Sequence, residues 1–245
     1  MSAKIYTVWG GNNSGKTTFA VNLACALARQ DKLVGLISSN LICGELQTYF
    51  GEGVSAEEGI FEALIKESPN IGEMFSECGQ SKNLFYLCVP TLYSGLLCDT
   101  VGILNVERLL NSASLVFDML IIDGASEINN PISSVGLWLA DRIFILHRPS
   151  IRAQLWYRSV SEFIRELHIG DKQIHILRTS NGDFDDRLYQ TMTELPFPWE
   201  LPHVKRAGEL ENAGTPLYFF RDRSCRRYSK VLEQIAHKIY GGGKP

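Results

Sequence analysis

The chain has 245 residues, of which 45% are hydrophobic and 21% are charged, and its formal net charge is −3. This composition excludes a disordered chain, and the length is sufficient to bury a large core in one domain. The small negative charge excludes a global electrostatic attraction to nucleic acid or to an anionic membrane surface.

Short apolar segments alternate along the chain with longer segments of helical periodicity. The segments with the length of strands are residues 4–10, 32–38, 83–90, 117–123, 141–149 and 172–180. Helical spacing of apolar residues follows residue 16 and recurs in residues 56–67, 105–114, 155–167 and 228–240. Strands that are apolar throughout, with helices between them, indicate a parallel sheet covered on both faces. We therefore predict one α/β domain, residues 1–245, with a doubly wound, mostly parallel sheet and helices on both faces.

A phosphate-binding loop is predicted where the first strand passes into the first helix, in VWGGNNSGKTTFAVNLA (residues 8–24). Gly10, Gly15, Lys16 and Thr17 have the spacing of the P-loop pattern. Glycines allow consecutive backbone N–H groups to point inward at an anion, and the helix N-terminus adds a partial positive charge. Lys16 would contact the β- and γ-phosphates. The predicted phosphate-binding residues are Gly10, Gly11, Asn12, Asn13, Ser14, Gly15, Lys16, Thr17 and Thr18.

A P-loop requires an acidic partner for its metal ion, and Asp123 ends the apolar segment FDMLIID (117–123). This position after a buried strand is typical of the acidic residue that holds Mg²⁺ through water. Thr17 would bind the same ion through its hydroxyl. Thr17 and Asp123 are therefore the predicted magnesium ligands, and an ordinary aspartate at a strand end is the alternative.

With these residues, the chain resembles the MinD/ParA family of P-loop ATPases. The resemblance extends from GGNNSGKTTFAVNLA (10–24) and FDMLIIDGAS (117–126) to LVGLISSNLICGELQTYFG (33–51) and ELPHVKRAGELENAGTPLYF (200–219). It implies that the protein binds ATP or ADP with Mg²⁺ and forms a homodimer around ATP. Hydrolysis would then release the dimer from a membrane, from DNA or from a partner protein.

The resemblance also implies where the adenine base would bind. The backbone near Leu201, Pro202 and His203 would lie against the ring. Asn181, which follows the segment IHILRTS, would read the edge of the base. The predicted nucleotide site therefore joins the loop after the first strand to two segments late in the chain.

Two positions depart from the family pattern. The family has a signature lysine after the first glycine of the loop, which reaches the partner's phosphates, and here this residue is Gly11. The family also has Asp-x-Asp after the second strand, and here Asn40 replaces the carboxylate that orients the attacking water. The predicted catalytic residues are therefore Lys16, Asn40 and Asp123. We expect clear nucleotide binding with slow or partner-dependent hydrolysis.

The function predicted from these residues is a nucleotide-controlled positioning or assembly switch. One alternative is an ATP-bound scaffold without hydrolysis, which would serve pilus or secretion-type assembly in the manner of the atypical members related to TadZ and CpaE. A second alternative is an ATP-dependent ligase of the biotin or cobalamin pathways. Such a ligase would need further charged groups near the γ-phosphate, and SSNLICGEL (38–46) has no obvious set of them.

The remaining features concern location and partners. No segment of about 18 apolar residues occurs, and the six cysteines form no C-x-x-C pair, so we expect a cytoplasmic protein with free thiols and an unidentified protein partner. The last helix is expected to pack on the sheet through Leu232, Ile235 and Ile239 instead of anchoring in a membrane. Nucleic acid is a less favoured partner of the basic cluster, which consists of Arg221, Arg223, Arg226, Arg227 and Lys230.

Overall fold

The structure is a computed structural model and describes residues 2–55, 58–91, 101–180 and 182–240. Within these ranges eight strands form one sheet. They are β1 (Lys4–Gly10), β2 (Val34–Ser38), β3 (Ser76–Glu77), β4 (Leu84–Leu87), β5 (Met119–Asp123), β6 (Arg142–His147), β7 (Gln173–Arg178) and β8 (Trp199–Leu201). The strand order is β3-β4-β2-β5-β1-β6-β7-β8, and the neighbours are parallel except for the antiparallel pair β3 and β4. The predicted α/β fold with a mostly parallel sheet is confirmed.

The same ranges contain ten α-helices, which connect the strands and cover the sheet. They are α1 (Lys16–Ala28), α2 (Leu46–Phe50), α3 (Ile60–Ile65), α4 (Ile71–Met74), α5 (Ile103–Ala113), α6 (Pro131–Leu139), α7 (Ile151–Glu166), α8 (Asp186–Thr193), α9 (Ala207–Asn212) and α10 (Arg223–Tyr240). Helices α1 and α10 pack together on one face, and α3, α5 and α6 cover the other.

The predicted helix over residues 56–67 is shorter in the structure. Residues 56 and 57 lie outside the described residues, and α3 begins only at Ile60. Gly59, directly before it, has a φ of +94°, which lies outside the right-handed helical region. The prediction for α7 began too late, because the Ser150 hydroxyl accepts a hydrogen bond from the Ala153 N–H at 3.1 Å and caps the helix four residues earlier than expected.

Helix α1 lies within the hydrophobic cluster on one face of the sheet. All residues of α1 from Phe19 to Ala28 are buried. Helix α10 packs against α1 through Leu232 and Ile235, which are buried, while Ile239 is partly buried at the edge of the same cluster. The same cluster contains strand residues such as Ile174 and Leu201, so the expected packing of the last helix on the sheet is confirmed.

The parallel register places several strand ends at one edge of the sheet. Asp123 at the end of β5 pairs with Val8 in β1 and with Ser38 at the end of β2. On the other side, Arg178 at the end of β7 pairs with Leu201 at the end of β8. The loop after β1 and the residues predicted to contact metal and base therefore meet at the carboxyl edge of the sheet.

Two expectations about the whole chain can be compared with the described residues. No helix there is both long enough and apolar enough to cross a membrane. The described cysteines are free thiols, as expected: Cys25, Cys78, Cys88 and Cys225 are buried, and Cys43 is exposed. Cys98 lies outside the described residues.

Candidate nucleotide-binding site

The loop between β1 and α1 has the backbone geometry of an anion cradle. Gly10 has a φ of +155° and Gly15 a φ of +93°. A Cβ atom added at Gly10 would lie 2.6 Å from the Leu146 carbonyl oxygen, so a side chain is excluded there. Helix α1 starts directly after Gly15 without a side-chain cap and without an acidic residue in its first turn. The first N–H groups of α1 therefore remain available to an anion.

The Lys16 side chain folds back over this loop. Its Nζ donates hydrogen bonds to the Gly11 carbonyl oxygen at 3.1 Å and to the Ser126 hydroxyl at 2.9 Å. The Ser126 hydroxyl in turn donates to Asn12 Oδ1 at 2.9 Å. Burial lowers the pKa of Lys16, and the nearby Asp123, Glu127 and Glu45 act against this. The structure therefore holds a partly desolvated cation above the cradle.

Asp123 provides the acidic group that the loop requires. It is 3% exposed, and its Oδ1 has no hydrogen-bond partner among the described residues. Burial raises the pKa of Asp123 to about 7, with Glu45 adding to the shift, while a hydrogen bond from Thr17 and the charge of Lys16 oppose it. A buried carboxylate with an unsatisfied oxygen next to a threonine hydroxyl fits a hard cation such as Mg²⁺. The described residues contain no cluster of three or more His, Cys, Asp or Glu side chains able to hold a metal.

A narrow cavity continues from the loop toward the ends of β7 and β8. Gly15 and Thr18 line one side of it, and Leu201 and Pro202, both predicted to contact the base, line the other. His203 is not among the lining residues; its backbone N–H donates to the Thr179 hydroxyl at 3.0 Å. The structure therefore brings Leu201 and Pro202 to the loop. Asn181 lies outside the described residues.

Comparisons with known proteins agree on the architecture. No family model matches the chain. A protein of Methanocaldococcus jannaschii named as an uncharacterized ATP-binding protein is 24% identical over 98% of this chain and 89% of its own. Among solved structures, MinD from Aquifex aeolicus has a TM-score of 0.77 at 16% identity, covering 99% of both chains. A ParA family ATPase from Chlorobium tepidum has a TM-score of 0.79 at 16% identity, covering 97% of this chain and 99% of its own.

The chain has the MinD/ParA fold. MinD of Pyrococcus horikoshii, solved as a complex with Mg-ADP, also superposes with a TM-score of 0.78 at 17% identity, covering 97% of this chain and 96% of its own. The resemblance of the whole chain to this group of proteins is thus matched by its three-dimensional structure.

Within this MinD/ParA fold, Gly11 is covered by a tryptophan. A Cβ atom added at Gly11 would lie 3.4 Å from Cγ of Trp156, which belongs to α7. The Trp156 ring donates a hydrogen bond through Nε1 to the Ser126 carbonyl oxygen at 3.2 Å and packs edge-on against Trp9. The space beside Gly11 is therefore filled from within the chain. Sequence reasoning missed Trp156, because an aromatic residue in an amphipathic helix is usually part of the core.

The segment after β2 uses Asn40 to build its own turn. Asn40 Oδ1 accepts hydrogen bonds from the N–H groups of Ile42 at 3.0 Å and Cys43 at 3.1 Å. This turn leads to Glu45, a half-buried residue whose charge acts on both Lys16 and Asp123. Burial raises the pKa of Glu45, while hydrogen bonds from Asn40 and Ser38 and the charge of Lys16 oppose the shift. Glu45 is thus a second carboxylate near the predicted γ-phosphate position, and sequence reasoning missed it because it follows no strand directly.

The basic cluster lies in a different place. Its residues Arg221, Arg223, Arg226, Arg227 and Lys230 line a surface cleft around the start of α10, and no phosphate-loop residue lines that cleft. Binding of nucleic acid there remains a prediction from the sequence.

Proposed function

We propose that the protein binds ATP with Mg²⁺ and acts as a nucleotide-controlled positioning or assembly switch. The observation that carries the proposal is the position of Lys16 over a loop that contains three glycines, close to Asp123, one carboxylate oxygen of which has no hydrogen-bond partner among the described residues. Two similar proteins support the choice of ligand: the Methanocaldococcus jannaschii relative is named as an ATP-binding protein, and the structure of Pyrococcus horikoshii MinD was solved with Mg-ADP.

Different residues of the site would bind the phosphates and the metal ion. The backbone N–H groups of residues 10–18 and the Lys16 ammonium would bind the phosphates. Thr17 and Asp123 would hold Mg²⁺, which neutralises phosphate charge when it is bound. Lys16, Asn40 and Asp123 remain the proposed catalytic set. Leu201 and Pro202 would contact the base.

Slow hydrolysis is part of the proposal. Gly11 offers no cation for the phosphates of a second copy, and Trp156 occupies the space beside it. The oxygen of Asn40 already accepts two backbone hydrogen bonds, and its amide cannot take a proton from water. The same observations favour the second candidate, a scaffold that keeps ATP bound without hydrolysis.

An ATP-dependent homodimer is proposed because apolar side chains surround the site at the carboxyl edge. They follow β2, β5 and β6 and share high exposure: Ile42 is 75% exposed, Ile128 43%, Ile151 50% and Leu155 59%. Exposed apolar residues grouped around a site indicate an interaction surface. A second copy that covers this edge would bury them together with the nucleotide. A further protein partner in the cytoplasm would bind the dimer and not the monomer.

Light scattering with Mg·ATP, Mg·ADP and no nucleotide tests the proposal, together with phosphate release in a single turnover. The switch predicts a dimer with ATP, a monomer with ADP and slow phosphate release. A stable ATP-bound dimer without phosphate release would favour the scaffold. One mass under all three conditions would contradict the dimer.

A further inference from the structure

A second cation contacts the phosphate loop at a different point from Lys16. Arg178 is the last residue of β7, and its guanidinium lies against Gly15. A Cβ atom added at Gly15 would lie 2.9 Å from Arg178 Nη1 and 3.3 Å from its Cδ. Lys16 Nζ, in contrast, reaches toward Gly11. Two positive side chains of the same chain therefore contact the loop, at different residues.

The position of Arg178 along the loop is set by the cavity that it lines. Arg178 shares this cavity with Gly15 and Thr18 on the loop side and with Leu201 and Pro202 on the side predicted to hold the base. Thr18 is the loop residue predicted to touch the α-phosphate. Arg178 therefore lines the same cavity as the start of α1 and the residues predicted to contact the base.

The charge of Arg178 is poorly compensated within the described residues. No carboxylate there lies within 4 Å of the guanidinium, and the guanidinium donates no hydrogen bond to them. The carboxyl group of Glu211 acts on Arg178 at longer range. Burial raises the pKa of Glu211, whereas a hydrogen bond from Thr18 and the charge of Arg178 lower it. Burial also disfavours the charged form of Arg178, yet a guanidinium stays protonated in proteins. A half-buried cation without a close partner, beside a phosphate loop, is prepared for an anion.

We propose that Arg178 binds the α-phosphate of the nucleotide within the same chain, which rests on the nucleotide binding proposed above. The planar guanidinium can offer two parallel N–H groups to phosphate oxygens, which an ammonium cannot do. Because ADP and ATP share this phosphate, Arg178 contributes equally to binding both. A contact that is the same in ground state and transition state leaves the turnover number unchanged. Arg178 is thus a binding residue whose effect is independent of the γ-phosphate.

Calorimetry of Arg178→Gln tests the assignment, with Arg148→Gln as the matched control. Arg148 is an exposed arginine near Arg178 that pairs with Asp183 at 3.4 Å on the surface. Arg178→Gln should weaken Mg·ADP and Mg·ATP by the same factor, about 10- to 100-fold, since a hydrogen bond to a charged group typically has this effect. Arg148→Gln should leave both affinities within about twofold. Arg178→Lys keeps the charge, should fold even if Arg178→Gln does not, and should show a smaller equal loss.

Four results would overturn the proposal. A loss confined to ATP, or a fall in turnover at saturating ATP, would place Arg178 at the γ-phosphate. If the variant changed the preference for ATP over GTP without an equal loss of affinity for ADP and ATP, Arg178 would contact the base instead of the phosphate. If folded Arg178 variants bound ADP and ATP with unchanged affinity, Arg178 would have no role in nucleotide binding. If the wild-type protein binds neither ADP nor ATP, the proposed function fails as well, so the two failures are distinguishable.

Discussion

At the scale of single residues, the site depends on a balance between Lys16 and two carboxylates. Asp123 is buried, one of its oxygens has no hydrogen-bond partner among the described residues, and Glu45 adds a second negative charge in the same region. An incoming triphosphate brings further negative charge, so Glu45 repels it unless a metal ion or a proton lies between them. The role of Glu45 can therefore be read from the sign of its effect on affinity.

Replacement of Glu45 by Gln removes this repulsion and preserves the shape of the side chain. We expect the affinity for Mg·ATP to rise by about 3- to 10-fold, which corresponds to at most about 1.4 kcal/mol. Isothermal titration calorimetry measures it, and Glu162→Gln, an exposed change near the end of α7, is the control with no expected effect. Weaker binding by Glu45→Gln would instead indicate that Glu45 helps to hold the metal ion.

The residues that sequence reasoning found and those it missed differ in a physical way. The loop residues and Asp123 lie at the ends of strands or directly after them, where a short pattern specifies both identity and position. Trp156, Glu45 and Arg178 reach the site through tertiary packing, which local spacing does not reveal. Arg178 ends a strand that was correctly predicted, but only the sheet order places that strand beside the loop.

At the scale of elements, apolar runs predicted six strands, and all six form. The two that were missed, β3 and β8, have two and three residues, too few to show any periodicity. Strand order was not predictable in detail, because apolar runs do not specify their neighbours. Helix starts were missed where a cap lies outside the apolar pattern, as at Ser150.

A pair of buried histidines joins β6 to β7 and makes stability depend on pH. His147 Nε2 lies 3.0 Å from His175 Nδ1, and His147 Nδ1 lies 2.9 Å from the Tyr189 hydroxyl. Burial lowers the pKa of both histidines below the usual 6.5, and for His147 the neighbouring His175 adds to the shift. From these two groups, the unfolded chain binds protons near pH 6 that the folded chain does not, so their contribution to stability falls as the pH decreases below about 6.5. The raised pKa of Asp123 acts in the opposite direction over the same range, so the contribution of the pair is measured as a difference between variants.

The free energy of unfolding, measured with denaturant from pH 7 to pH 5, tests this dependence. Each histidine contributes a slope approaching about 1.4 kcal/mol per pH unit at the acidic end. His175→Gln should remove roughly half of the slope that the two histidines contribute together. A wild-type slope equal to that of His175→Gln would contradict the neutral buried pair.

The packing of α10 gives a second prediction at this scale. Leu232 is 0% exposed and lies in the cluster around α1. Leu232→Ala should lower the free energy of unfolding by about 2–5 kcal/mol, because it removes buried methyl groups and leaves a cavity. Leu104→Ala, at a site that is 78% exposed, should change it by less than about 0.5 kcal/mol. Equal effects in chemical denaturation would argue against the packing of α10 in the core.

At the scale of the whole molecule, one sheet edge collects functional groups from distant parts of the sequence. The parallel register brings the loop after β1, the end of β5 and the ends of β7 and β8 to one line. The sequence predicted this class of fold and the edge at which the ligand is proposed to bind, because both follow from apolar strands separated by helices. It did not predict which side chains fill the space around the loop, since that depends on how α7 and the segment after β2 pack.

The central claim is that residues 10–18 capture a nucleotide with its metal ion, and calorimetry with Mg·ATP tests it most directly. The wild-type protein should bind, Lys16→Ala should bind about 100-fold more weakly or not measurably, and Lys4→Ala, an exposed change at the start of β1, should match the wild type. A folded wild-type protein that shows neither heat nor a rise in melting temperature with Mg·ATP or Mg·ADP would contradict the account, and so would equal binding by Lys16→Ala.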